Sequence, residues 1–399
     1  TARSNIISNI SPNQLNYMIM THFALTMTIV LFTIIHTARS NIISNISPNQ
    51  LNYIGRHKVN QSMARFDWVG TGIKIDLRGT TTTNTTLSID MDSGCTNAFA
   101  VLLNQTIVAT FIAKAGRKNY TLWTGHLSNS DVTTLQLIKT TEGDMKTATS
   151  IFGMDVRGAS TVVQKTPPSQ RLRIDVYGDS DSAAFGVDGN EDKHPLDCAL
   201  CEGRAGCFEN FLHGWVYTAA TSTVLVDDAD YRVQAVSGIG VVKNAGDGLF
   251  CFTDLVLGKL IHRTLGSVDS NDYNASSWVP HAVVVMIGGN DYGNIFPPSE
   301  KEFTNGYLTL VRDILASYGS SSKKTPLVVH VCNTSNAGDH CDYIKNVVKT
   351  LGKGNVYSDT GDQGQTPNGC NGHRNATQQK VLGNRVANVI IHSTKLTTI

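Results

Sequence analysis

The chain has 399 residues, 41% of them hydrophobic and 16% charged, with a net charge of +1. That length admits two domains, and the composition excludes a disordered chain. The balanced charge gives no electrostatic reason to expect nucleic acid or an anionic membrane as a partner.

Residues Thr1 to Tyr17 recur letter for letter as Thr37 to Tyr53. Between the copies, Met18-Ile19-Met20-Thr21-His22 leads into an apolar run from Phe23 to Ile35. This is the layout of a secretory signal peptide over 18–36. The run is short for a membrane span and threonines interrupt it, so no membrane is expected for the mature chain, which would begin near Thr37. Repeat folds carry diverged copies in series. A perfect copy ahead of an export signal reads instead as the mature N-terminus written twice, or as a detached strand lent to a neighbour in a homo-oligomer or filament.

Sequons for N-linked glycans agree with export. They stand at Asn45, Asn60, Asn84, Asn104, Asn119, Asn274, Asn333 and Asn375, with Asn9 in the duplicate. The eight cysteines, Cys95, Cys198, Cys201, Cys207, Cys251, Cys332, Cys341 and Cys370, point to disulfides whose pairing spacing does not reveal. Cys198-x-x-Cys201 with Cys207 lacks a second ligand pair, so no metal is expected.

After an N-terminal segment, 37–54, short alternating runs with turn residues between them fill 55–164. Gly72–Leu77, Thr86–Asp90, Ala98–Leu103, Ile107–Ile112 and Thr134–Ile138 are the clearest. Strands at this spacing without a helical period predict a β-sandwich. Lys165-Thr166-Pro167-Pro168-Ser169 follows, a stiff linker over 165–170.

From 171 to 399 helix and strand alternate. Leu172–Tyr177 is a period-two strand that runs into Gly178-Asp179-Ser180, which presents a serine hydroxyl at a sheet rim. Phe208, Leu212, Trp215, Val216 and Ala219 follow helical spacing, and Tyr231–Val236 is a strand ending in Ser237-Gly238-Ile239-Gly240. The unbroken apolar run Ala282–Ile287 predicts a central parallel strand, ending in Gly288-Gly289-Asn290-Asp291. Phe303, Tyr307, Val311, Ile314 and Tyr318 mark a helix closed by Gly319. Leu327–Val331 is a further buried strand, with His330 a core residue. Gly369-Cys370-Asn371-Gly372-His373 precedes a last helix from Ala376, whose buried face would include Val381, Leu382, Val386, Val389 and Ile390. This alternation predicts an α/β doubly wound parallel sheet.

Gly178-Asp179-Ser180, Gly238, Gly289-Asn290-Asp291 and His373 resemble, in order, the four blocks of the SGNH (GDSL-type) hydrolases. From about Gly55 to Val389 the chain looks most like carbohydrate esterase family two, in which a jelly-roll β domain precedes the hydrolase domain. The resemblance implies a secreted serine esterase that removes O-acetyl groups from carbohydrate without a cofactor. Ser180 would be the nucleophile and His373 its base. Ser180 N–H, Gly238 N–H and the Asn290 side chain would form the oxyanion hole. Asp291, Tyr292 and Trp278 are candidates for the substrate rim, the two aromatics as platforms for a sugar ring.

Three positions depart from the family's pattern. Asn371 stands where most members place the aspartate that orients the histidine, and a backbone carbonyl or Asn371 itself would have to serve. Asp359 and Asp362 are weaker substitutes. Asp181 stands where Ile or Leu is common, and Arg374 where Pro is usual. Asn375 is both a sequon beside the base and a natural N-cap for the last helix. The competing reading is a catalytically weak or inactive glycoprotein that serves as a structural subunit of an extracellular fibre or coat.

Overall fold

The computed structural model describes residues 43–79, 84–142, 145–161, 171–189, 210–225, 228–248, 254–319, 325–333, 340–361 and 366–395. The duplicate 1–17, the expected signal peptide 18–36, the linker 165–170, Cys198, Cys201, Cys207, Cys251 and Asp362 lie outside them.

The N-terminal domain begins with β1 (Ile43–Ile46), β2 (Asn52–Ile54), β3 (Lys58–Val59), β4 (Ala64–Phe66), β5 (Gly72–Gly79) and β6 (Thr85–Asp92). It continues with β7 (Asn97–Leu103), β8 (Thr106–Ala113), β9 (Arg117–Gly125), β10 (Thr133–Lys139), β11 (Thr149–Arg157) and β12 (Ala159–Thr161). These form two antiparallel sheets, one in the order β3-β4-β11-β6-β9 with β1 on β11, the other β12-β5-β10-β7-β8 with β2 on β5. Alternation drives the arrangement: along β6 every second side chain, Leu87, Ile89 and Met91, is buried. These three meet Phe99, Leu135 and Leu137 of the facing sheet in one core. The domain starts earlier than the expected boundary at Gly55. β1 and β2 complete one sheet each, because Ile46 and Leu51 carry apolar side chains into the shared core.

The second domain is a five-stranded parallel sheet of β13 (Arg173–Gly178), β14 (Asp230–Ala235), β15 (Ala282–Met286), β16 (Leu327–Cys332) and β17 (Asn355–Asp359), ordered β14-β13-β15-β16-β17. Every residue of β15 is buried, as a strand covered on both faces requires. One face is covered by α2 (Trp215–Ala220) and α6 (Ala376–Lys395), through Trp215, Leu382, Val386 and Ile390. The other is covered by α4 (Glu300–Ser317) and α5 (His340–Leu351), through Phe303, Tyr307, Ile344 and Val347. Helix α4 begins at a capping box in which Ser299 and Glu302 satisfy each other's backbone N–H. The helix expected through Phe208–Ala219 is divided instead. Asn210 caps a short turn, Phe211–His213, and extended Gly214 separates it from α2. On α6, Val381 is 61% exposed, so the apolar face is narrower than expected.

The two domains interlock through buried polar groups. Arg56 donates to the carbonyls of Ile261 and Arg263 and to the Tyr177 hydroxyl at 2.7–3.0 Å. Asp67 accepts from the Gly266 and Ser267 amides, and Trp68 Nε1 donates to Thr264 O. A disulfide joins Cys332 at the end of β16 to Cys341 on α5, and Cys370 is also disulfide-bonded. Cys95 is a free thiol.

Candidate active site

Three neighbouring parallel strands set the site. Gly178, at the end of β13, pairs with Ala235 of β14 and Met286 of β15. Ser180, Gly238 and Asn290 therefore follow the carboxyl ends of adjacent strands within two to four residues, at the edge where such sheets hold ligands. Gly178 cannot be larger, since a Cβ there would lie 2.1 Å from Ser182 Oγ and 2.9 Å from Met286 O. Ser180 opens α1 (Ser180–Ala183), and Asp179 caps it by accepting from the Asp181 amide. Burial and the neighbouring Asp181 carboxylate push the Asp179 carboxyl well above the usual range.

His373 reaches the same edge from far along the chain. Its Nε2 lies 2.7 Å from Ser180 Oγ and its Nδ1 3.1 Å from the Cys370 carbonyl oxygen. A carbonyl can only accept, so Nδ1 carries the proton and Nε2 is left to accept from the serine hydroxyl. The turn makes this reachable: Asn371 (φ 53°) and Gly372 (φ 68°) are both left-handed, which turns the Cys370 carbonyl back toward the ring. The loop is stitched to the segment after α1, with Cys370 N donating to Gly186 O and Ala376 N to Val187 O. Phe185 packs edge-on against the imidazole, ring centroids 4.9 Å apart. The orienting contact thus comes from the Cys370 carbonyl and not from Asn371, which stands exposed at the rim. Asp359 is occupied elsewhere, pairing with Arg385 at 2.5 Å.

The loop 236–243 carries Gly238, whose φ of 78° suits glycine. Asn290 lies in the one-turn helix α3 (Gly289–Tyr292), and its Nδ2 donates to Ile239 O at 2.9 Å. That bond engages one amide hydrogen and fixes the direction of the second. Asp291 does not lie on the substrate rim. It is fully buried, and its carboxylate accepts the Val241, Val242 and Lys243 amides at 2.7–2.9 Å. Burial raises its pKa, and those three donors oppose the rise.

The aromatic candidates also depart from expectation. Tyr292 turns inward to pack on Phe303 and to stack on His340. Trp278 lies before β15 and packs against Arg173, the first residue of β13, and Arg232. It therefore sits at the opposite edge of the sheet, roughly 20 Å of strand away from Ser180.

Asp181 and Arg374, each beside a site residue, form a buried ion pair of 2.7 Å. Asn333 completes it, accepting from Arg374 Nη2 and donating to Asp181 Oδ2 at 2.7 and 2.8 Å. Asn333, one of the sequon residues, is half-buried and engages both its amide nitrogen and its amide oxygen in this pair. Asn375 caps α6, its Oδ1 accepting from the Gln378 amide. Asn45, Asn60, Asn84, Asn104, Asn119 and Asn274 are exposed.

No family model matches the chain. Over 168 residues, 39% of its length, the chain is 26% identical to an acetylxylan esterase / glucomannan deacetylase of Cellvibrio japonicus (strain Ueda107). The match spans 44% of that protein, less than half its length. A family two carbohydrate esterase from Clostridium thermocellum, solved in complex with cellohexaose, superposes with a TM-score of 0.73 at 19% identity. The alignment covers 86% of this chain and 99% of that one. A carbohydrate esterase family 2 enzyme with a carbohydrate binding domain, from Corynascus thermopiles (Myceliophthora fergusii), gives 0.65 at 24% identity, covering 86% and 99%. The chain therefore has the fold of the family two carbohydrate esterases.

Proposed function

We propose that this chain is a secreted serine esterase that removes O-acetyl groups from carbohydrate, its β domain being the jelly-roll companion of the hydrolase domain. The observation that carries the reading is the 2.7 Å contact between Ser180 Oγ and a His373 ring held in one tautomer. In the first half-reaction Ser180 Oγ attacks the acetyl carbonyl carbon while its proton passes to His373 Nε2. Negative charge forms on the carbonyl oxygen, and Ser180 N–H, Gly238 N–H and the second Asn290 amide hydrogen receive it. Collapse breaks the bond to the sugar oxygen, which takes the proton from Nε2. Water then attacks the acetyl-serine with His373 again as base, releasing acetate. Each fixed donor is worth about 2.7–4 kcal/mol in hydrolases of this chemistry.

Sugar and acetyl specificity rest on the relatives, whose names specify acetylxylan and glucomannan and whose structure carries cellohexaose. This chain adds apolar surface of its own beside Asn290. Ile295 and Phe296 are 83% and 75% exposed. Asn294 ties their loop to the backbone of Asn290 and Asp291. Such a rim suits the apolar face of a pyranose ring. The exposed sequons are the sites where N-linked glycans would sit in exported material.

Acetate release from acetylated xylan is the test. The intact chain is expected to release acetate, and Ser180→Ala to release none. Absence of release from the unmodified chain would leave the competing fibre-subunit reading, which a strictly monomeric size in solution would remove.

A further inference from the structure

We propose that Glu142, a residue of the β domain, is a positioning residue for the oxyanion hole: it holds Ser237 and thereby aims the Gly238 N–H. The inference rests on the esterase reading above. Glu142 follows β10 in a buried run, Lys139 to Glu142, whose residues are no more than 5% exposed. That run is anchored on both domains. Lys139 exchanges backbone hydrogen bonds with Gly70 and Thr71, and Phe211 N donates to Thr140 O at 3.0 Å. Glu142 Oε2 accepts the Ser237 amide at 2.8 Å, and Oε1 accepts the Ser237 hydroxyl. Ser237 is thus gripped through both of its donors.

The next peptide bond, from Ser237 to Gly238, carries the N–H assigned to the hole. Its direction is set by the torsions of these two residues. Beyond it, the loop is held by Asn290 on Ile239 O and by Asp291 on the three following amides. The Gly238 N–H is therefore bracketed by two buried carboxylates, one from each domain. Other interdomain contacts, those of Arg56, Asp67 and Trp68, fall on residues 261–267 and Tyr177. Glu142 alone among these groups bonds to the residue beside a hole donor. A carboxylate that merely joined the domains would serve as well anywhere along their contact.

The test uses the full chain with p-nitrophenyl acetate, and a phosphonate probe that modifies the active serine and places an oxygen in the hole. Glu142→Gln keeps the side chain's shape and weakens its grip on Ser237. It is expected to lower kcat about tenfold to a hundredfold with KM nearly unchanged, since a misaimed donor weakens only transition-state binding. Phosphonylation should slow in proportion. Asp67→Asn, the control at a remote interdomain contact, is expected to lower thermal stability and leave kcat alone. If Glu142→Gln does not fold, Ser237→Ala, which removes the hydroxyl leg, is expected to lower kcat several-fold. An active parent whose Glu142→Gln and Ser237→Ala variants keep full kcat overturns the inference alone, as does an equal loss of kcat in Asp67→Asn. A parent that neither turns over the ester nor reacts with the probe overturns the esterase reading and this inference with it.

Discussion

The Asp181 carboxylate and the Arg374 guanidinium meet at 2.7 Å with both side chains almost wholly buried. Each is the chain neighbour of a residue in the proposed dyad, Asp181 of Ser180 and Arg374 of His373. Two of the three positions that depart from the resembled pattern are therefore partners, and their ion pair ties the chain beside Ser180 to the chain beside His373. Buried pairs owe their persistence to complete hydrogen bonding, which Asn333 supplies here.

Removing one partner leaves the other charge buried. Asp181→Ala or Arg374→Ala is expected to destabilise the fold by roughly 3–5 kcal/mol and to lower ester turnover. Replacing both together, Asp181→Ala with Arg374→Ala, is expected to cost less than the sum of the single changes. Denaturant unfolding of the four proteins in a double-mutant cycle measures that coupling, and additive losses would show that the pair does not act as a unit.

The turn before His373 acts through backbone shape. Asn371→Gly, which keeps the left-handed conformation available, is expected to leave kcat within about threefold of the parent. Gly372→Ala meets no neighbour within 4 Å, so its cost is the left-handed strain alone, roughly 1–2 kcal/mol. A large loss of kcat in Asn371→Gly would mean that the side chain, and not the Cys370 carbonyl, orients the imidazole.

Asp291 offers one carboxylate to three backbone donors. Asn in its place has a single acceptor oxygen and turns an N–H₂ toward those amides. Asp291→Asn is expected to destabilise by about 1–3 kcal/mol and to lower kcat, because the 236–243 loop carries Gly238, the proposed hole donor. Unfolding midpoints and ester kinetics read the two effects separately.

His330 carries the clearest link between pH and stability. It is buried between the Tyr307 hydroxyl and Asn355, and burial lowers its pKa to about 4 from 6.5. The unfolded chain therefore binds a proton that the folded one refuses, so stability is lost as pH falls from 6.5 toward 4. The contribution is on the order of 3 kcal/mol. His330→Gln, which can still bond both partners, is expected to lose less stability than the parent over that window. Urea unfolding at several pH values provides the comparison.

Three of the four blocks were legible in sequence because each follows a strand with a strong apolar pattern, as Ile174 and Val176 do before Ser180 and Val283 and Val285 before Asn290; the fourth, at His373, follows no strand directly and was read from its own residues. Strands of the β domain with the same alternation, β5, β6, β7, β8 and β10, were legible for that reason. Strand β9 was not, since Arg117-Lys118-Asn119 breaks the alternation, and β17 is an edge strand with few buried side chains. The roles of Tyr292, Trp278 and Asp291 could not be read locally. An aromatic ring or a carboxylate beside a motif packs wherever the tertiary structure leaves room, and Asp291 turned toward amides fifty residues away. The Cys370 carbonyl has no residue signature at all. The pairing of Asp181 with Arg374 left a trace, two opposite charges each replacing an apolar residue beside a motif. Glu142 left none, because its partner Ser237 lies in the other domain.

The proposed activity depends on Ser180 acting as a nucleophile activated by His373. Incubation with a fluorophosphonate, followed by peptide mass mapping, tests this without assuming a substrate. A single phosphonyl adduct on Ser180 is expected, absent in Ser180→Ala and strongly slowed in His373→Ala. A folded parent chain that takes up no adduct, or takes it up at the same rate without His373, would contradict the account.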